Sequence, residues 1–164
     1  MIVVADASPL IFLARIRQLK LIHTVLGRDI RLPKAVHREL FAGVVNPAEG
    51  DRLKQFLQRC RVETVRRPKR FATAMSAADN AALTLALRCK ADVLLCDERV
   101  TRSMAEIEGI RPLETLGLLL RAVNRDLMPA DEAKRLIGLL VSDHGFRIGI
   151  ELYQTAMARL SSEA

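Results

Sequence analysis

A chain of 164 residues, half of them apolar (50%), is long enough for one domain with a substantial core and too apolar to be disordered as a whole. Aromatic residues make up only 4%, so that core is to be built from Leu, Val, Ile and Ala. No apolar run reaches the roughly 18 residues that a membrane-spanning helix needs, three scattered cysteines provide neither a disulfide framework nor a thiolate zinc site, and a formal charge of +7 favours polyanionic partners without identifying one.

Ile2 to Ala5 is short, apolar and β-branched, which predicts a buried strand. The carboxylate of Asp6 interrupts this start, where a secretory signal would open with basic residues and run longer, so a cytoplasmic location is expected. Ser8-Pro9 predicts a helix with Ser8 as cap and Pro9 at the first helical position, its apolar face carried by Leu10, Leu13 and Ile16. A second helix, Leu19 to Leu26, stops at Gly27. Ile30 to Leu32 reads as a short strand, Pro33 starts a helix reaching Ala42, and Asn46-Pro47 starts another reaching Arg59. Val62 to Val65 reads as a strand, and Arg66 to Ala74 as a basic, irregular stretch. Ser76 caps a helix from Ala77 to Cys89, and Val93 to Cys96 is the second wholly apolar strand. A helix to Glu108 stops at Gly109, Ile110 to Leu113 forms a last strand, and helices follow over Leu116 to Val123, Ala130 to Val141 and Glu151 to Leu160.

Strands alternating with helices imply an α/β fold: a central parallel sheet of four or five strands flanked by helices, with a helical C-terminal end. Without repeats, low-complexity segments or a linker, residues 1–164 are expected to form a single domain. Its core runs to about residue 125, and a C-terminal helical extension occupies about 126–164.

Function in open parallel sheets gathers beyond the C-terminal ends of the strands. Asp6 and Asp97 are the first polar side chains after the two most apolar strands. Each alone is as readily a helix cap or turn residue, but together they make a shared site more attractive. Glu39 stands among apolar residues of a helix, and by periodicity alone it is a solvated position; Asp79, three residues after Ser76, fits a capping box as well as a functional role. What would unite the four is a hard cation, since Mg²⁺ takes oxygen ligands and keeps several waters. Carboxylates about 4 Å apart repel by roughly 4 kcal/mol at an effective dielectric near 20, so such a cluster requires a metal, raised pKa values or both.

Four segments resemble the motifs of the PIN-domain family, in order and at suitable spacing. They are Val4-Ala5-Asp6-Ala7-Ser8-Pro9, Pro33-Lys34-Ala35-Val36-His37-Arg38-Glu39-Leu40, Ala78-Asp79-Asn80-Ala81-Ala82-Leu83 and Leu94-Leu95-Cys96-Asp97-Glu98-Arg99. Gly145-Phe146-Arg147-Ile148, followed by Leu152-Tyr153, is similar to the C-terminal extension of a branch of VapC-like toxins. The resemblance implies a metal-dependent ribonuclease, the toxin of a type II toxin–antitoxin pair, using Mg²⁺ or Mn²⁺. It implies an acidic pocket of Asp6, Glu39, Asp79 and Asp97, in which Asp6, Asp79 and Asp97 bind metal and Glu39 orients a metal-bound water. Ser8 and Glu98 are supporting groups, although Asp79 and Glu98 stand where close relatives often carry Glu and Asp. The same likeness implies RNA as substrate, a small antitoxin as partner and a homodimer, with no membrane association.

Basic side chains around the pocket are expected to hold phosphate, Arg99 and Arg102 first, because they follow Asp97 closely. The stretch Arg59 to Arg70 is a further candidate or a solvated loop. A catalytically silent PIN domain that only binds RNA or protein is the principal alternative. A receiver-like domain lacks a Lys after a late strand, a dinucleotide-binding domain lacks Gly-x-Gly-x-x-Gly after the first strand, and His23, His37 and His144 lie too far apart in sequence for helical metal pairs.

Overall fold

The apolar runs at Ile2–Ala5 and Val93–Leu95 form strands β1 and β4. Val3, Val4, Ala5, Val93, Leu94 and Leu95 are all 0% exposed. Because neighbouring side chains on a strand point to opposite faces, both faces of these strands are covered, as in the interior of a parallel sheet. β1 and β4 pair with each other, Val3 opposite Val93 and Ala5 opposite Leu95. The Asp6 N–H donates to the Leu95 carbonyl at 2.9 Å, carrying the pairing one residue past the strand.

The computed structural model describes residues 1–162. Strands β2 (Asp29–Pro33), β3 (Arg61–Glu63) and β5 (Arg111–Leu113) complete a five-stranded parallel sheet in the order β3-β2-β1-β4-β5. The chain steps outward from β1 to β3 and then returns to lay β4 on the other side of β1. The winding direction therefore reverses between β1 and β4, the place where open α/β sheets leave a crevice beyond the carboxyl ends of their strands. Asp6 and Asp97 stand at that crevice by topology alone.

Helices α1 (Ala7–Arg15) and α2 (Lys20–Leu26) connect β1 to β2, while α3 (Lys34–Ala42) and α4 (Pro47–Leu57) connect β2 to β3. Helix α5 (Ala77–Arg88) leads into β4, and α6 (Arg99–Ile107) joins β4 to β5. The start of α1 corrects the sequence reading. Asp6, not Ser8, is the N-cap residue, with extended φ −89° and ψ 172°, so Ser8 and Pro9 fall inside the first turn. Proline is tolerated there because the first N–H groups of a helix have no intrahelical acceptor. Strand β3 is shorter than expected because its one partner, β2, ends at Pro33 opposite Glu63 and turns into α3.

Other local signals hold. Asn46 caps α4 by accepting from the Glu49 N–H at 2.9 Å, with Pro47 next in line. Ser76 and Asp79 exchange bonds across the first turn of α5: the Ser76 hydroxyl accepts from the Asp79 N–H at 3.1 Å, and the Asp79 carboxylate accepts from the Ser76 N–H at 2.8 Å. Residues Ala78 to Ala86 of α5 are all buried, including polar Asn80 and Thr84. Those two reach the preceding loop, Asn80 Oδ1 accepting from the Phe71 N–H at 2.8 Å and Thr84 Oγ1 from the Lys69 N–H at 2.9 Å.

The chain forms two compact units, Met1–Thr115 and Leu116–Ala164. The second carries α8 (Ala130–Ser142), α9 (Ile150–Ser162) and all of α7 (Thr115–Val123) but its first residue. Ala133, Leu136, Ile137 and Leu140 make the buried stripe of α8, and α8 packs with α9. After α8, Gly145 takes φ +67° and the Phe146 N–H donates to the Leu140 carbonyl at 2.9 Å, a left-handed turn that glycine adopts without strain. Among the described residues, no helix is long and apolar enough to cross a membrane.

Candidate active site

Strand β1 ends by delivering Asp6 into the interior, where it is 3% exposed, and the first turn of α5 delivers Asp79, 8% exposed. The two carboxyl groups lie close enough for Asp79 to act on Asp6 both by its charge and as a hydrogen-bond partner. Burial, then the charge of Asp79 and the bond to it, hold the Asp6 carboxyl well above the ordinary range, and Glu39 pushes the same way; the Ala7 backbone amide opposes them. Asp79 thus closes the capping box and also faces Asp6.

Beside Asp79 lies a hollow of about 260 Å³ lined by Ser8, Glu39, Ser76, Asp79, Glu98 and Thr101, with Ala74 and Val100; neither Asp6 nor Asp97 is among its lining residues. Glu39 projects from α3, exposed at the residue level, yet desolvation followed by the charge of Asp79 raises its pKa. Glu98 is the N-cap residue of α6 and is exposed. The supporting groups Ser8 and Glu98 therefore do face the hollow with Glu39 and Asp79.

Asp97 is brought to the neighbouring strand end but is engaged elsewhere. Its Oδ1 accepts from the Thr115 N–H and its Oδ2 from the Thr115 hydroxyl, both at 2.8 Å. Burial pushes its pKa up to about 6; the two bonds from Thr115 lower it, Glu114 raises it, and Arg102 lowers it. Arg102 is ion-paired with Glu114. Neither Arg102 nor Arg99, which is exposed at the start of α6, lines the hollow. The basic stretch likewise stands apart from it: Lys69 pairs with Glu108 at 2.8 Å and lies 4.7 Å from the Phe71 ring centre, while the Arg66 and Arg67 carbonyls accept from Arg88.

Sequence reasoning missed Thr115 and Thr101. Thr115 is 0% exposed, and its only signal is a polar residue two positions after an edge strand. Thr101 is 1% exposed and faces the hollow, and its hydroxyl oxygen has no hydrogen-bond partner among the described residues. Cys96, between Asp97 and the strand, is buried, and burial raises its thiol pKa, so it acts as a small core residue.

The donor atoms around the hollow are all oxygens, from carboxylates and hydroxyls, with one buried hydroxyl unsatisfied. That chemistry matches a hard divalent cation rather than a soft one. Among the described residues, no three His, Cys, Asp or Glu side chains are gathered to hold a metal ion by themselves. The site fits such an ion in the mode Mg²⁺ commonly uses, one or two carboxylates completed by water and a substrate phosphate.

A family model described as a PIN domain matches residues 2–162, and no curated protein matches the chain. With that match spanning nearly every residue, and with acidic side chains of β1, α3 and α5 meeting beside the reversal of the sheet, the chain belongs to the PIN-domain family, whose members are in general nucleases.

Proposed function

We propose that this protein is a Mg²⁺- or Mn²⁺-dependent endoribonuclease and the toxin of a type II toxin–antitoxin pair. The observation that carries the reading is the approach of Asp6 and Asp79, two buried carboxyl groups, at the switch point of the sheet. A divalent cation relieves the repulsion between two such groups. Asp6 and Asp79 would hold it, with Asp97 contributing the second lone pair of its oxygens from β4. When bound, the cation would neutralise charge on the scissile phosphate and acidify a water.

The chain's own residues supply the rest. Glu39, with its raised pKa, is suited to orient the attacking water and take its proton. The water oxygen bonds to phosphorus as the bond to the leaving nucleotide oxygen breaks. Ser8 and Thr101 offer hydroxyls to water in the hollow, and Glu98 repels anions that would enter from its side. Arg99 contacts a phosphate of the RNA, and Arg102, tied to Glu114, offsets the charge of Asp97. The VapC-like resemblance adds a small antitoxin, a homodimer and a cytoplasmic setting. Ile150 and Leu152, exposed at the start of α9 (75% and 43%), support a protein contact on the C-terminal helices.

A second reading, a silent PIN domain that binds RNA or protein, is favoured by the engagement of both Asp97 oxygens with Thr115. The two part on one experiment. Purified protein should cleave members of an RNA panel with Mg²⁺ or Mn²⁺, lose activity in EDTA, and lose it in Asp6→Asn and Asp79→Asn. Cleavage that survives EDTA or both substitutions rules out the metal-dependent reading; absence of cleavage with intact RNA binding establishes the silent one.

A further inference from the structure

The opposite rim of the sheet carries the opposite charge. Arg28 immediately precedes β2, and Arg59 stands two residues before β3, so both lie at the amino ends of parallel strands, whereas Asp6 follows the carboxyl end of β1. Two adjoining hollows open there, of about 290 Å³ and 530 Å³, and they share His23 and Arg59. Arg17, Lys20 and Arg52 line the first, and Arg28 lines the second, with no carboxylate among the lining residues of either.

Three observations mark this trough as built for an anion. First, the fold pairs its cations elsewhere, as in Arg31–Asp29, Lys69–Glu108 and Arg135–Glu132, yet among the described residues none of these five has a carboxylate partner. Second, Arg52 is fixed in place by donating from Nε to the Ala14 carbonyl at 2.8 Å, so its guanidinium is oriented without its charge being neutralised. Third, His23 Nε2 is buried with no hydrogen-bond partner among the described residues, while Nδ1 lies 3.3 Å from the Gly27 carbonyl, so that a ring carrying both protons donates from Nε2 to a ligand oxygen.

Arg17 adds a local argument. It follows α1 with φ +60°, its N–H donating to Ala14 and the Gln18 N–H to Leu13. This is the terminating turn in which glycine is the usual residue, because a left-handed conformation strains any side chain. An arginine stands where the backbone favours glycine, and it lines the trough.

We propose that this trough binds the phosphate groups of nucleotides, in a strand or free, at a site separate from the acidic hollow. Guanidinium groups suit phosphate oxygens, which they can grip two at a time. The His23 ring, set against Phe56 with centres 5.0 Å apart, offers an apolar wall beside the cations. The choice of a nucleotide over an acidic peptide rests on the nuclease reading.

The test is fluorescence anisotropy with a labelled 12-nucleotide single-stranded RNA in EDTA, so that binding is measured without cleavage. Arg52→Ala/Arg59→Ala should weaken binding at least tenfold and reduce the log–log salt slope by about 1.4, the loss of two phosphate contacts on a single strand. Arg17→Gly should weaken it severalfold with an equal or higher melting temperature, which separates a binding role from a folding one. Competition by adenosine 5′-monophosphate, but not adenosine, would identify a free nucleotide as the source; competition only by unlabelled RNA would identify a strand. Affinity and slope unchanged in both variants would overturn the proposal, as would displacement of the RNA by polyglutamate at equal charge. An uncleaving protein that still binds through these arginines would sink only the nuclease reading, and a cleaving one unaffected by the variants would sink only the trough.

Discussion

Asp6 and Asp97 follow neighbouring strands, Asp6 buried and Asp97 half-buried, and their surroundings engage them differently. On the β1 side, Asp6 meets a second carboxyl group, and the Ala7 backbone amide offsets that repulsion only in part. On the β4 side, Asp97 is met by two donors from Thr115 and by the charge of Arg102. One half of the crevice is left in electrostatic deficit and the other is settled by the protein itself. A ligand with positive charge gains more from the first half, and the second gives that half a firm neighbour.

The sharpest way to break this comparison is to neutralise each half in turn. Asp6→Asn or Asp79→Asn should lower RNA cleavage on the order of a thousandfold, since several kcal/mol of charge stabilisation depend on the pair. Asp6→Asn should also raise the melting temperature without metal, because an amide can donate to Asp79 with no proton to acquire. Asp97→Asn, read in the same cleavage assay, should cost less, about 10- to 100-fold, as expected of a group partly committed to other partners.

Stability against pH sharpens the comparison further. The folded pKa of Asp97, about 6, lies above the unfolded value near 3.9. Its contribution is therefore fully present below the unfolded pKa and is lost as pH rises through the folded one, up to about 3 kcal/mol between pH 4 and 7. Denaturant unfolding at a series of pH values should show wild type losing stability across that window more steeply than Asp97→Asn; equal slopes would refute the assignment. The smallest effect concerns the far end of the pair. Ser76→Ala removes one bond of the capping box and should cost about 1 kcal/mol in denaturant unfolding while leaving most of the cleavage intact.

Much of this was legible in the chain. β1 and β4 announce themselves as apolar runs ending in Asp, and Ser76-x-x-Asp79 announces the helix that brings Asp79 to Asp6. Short-range signals suffice there, because each depends on residues within a few positions. The engagement of Asp97 was not legible, since Thr115 lies 18 positions away and reaches it only through the pairing of β4 with β5. The basic trough escaped for the same reason. The densest basic stretch in sequence, Arg59 to Arg70, contributes only Arg59, whereas Arg17, Lys20, Arg28 and Arg52 are collected from separate elements. The cap of α1 was misplaced because Ser-Pro is a strong local signal, and the strand's end at Asp6 overrode it.

The loop before α5 lacks regular structure, yet Asn80, Thr84 and Arg88 fasten it from three successive turns of that helix. Helix and loop accordingly behave as one machined part: the segment that walls the hollow at Ala74 and Ser76 travels with the helix that presents Asp79. A substitution in the Lys69–Phe71 segment, which carries no carboxylate itself, can thereby misalign the acidic pair without touching it.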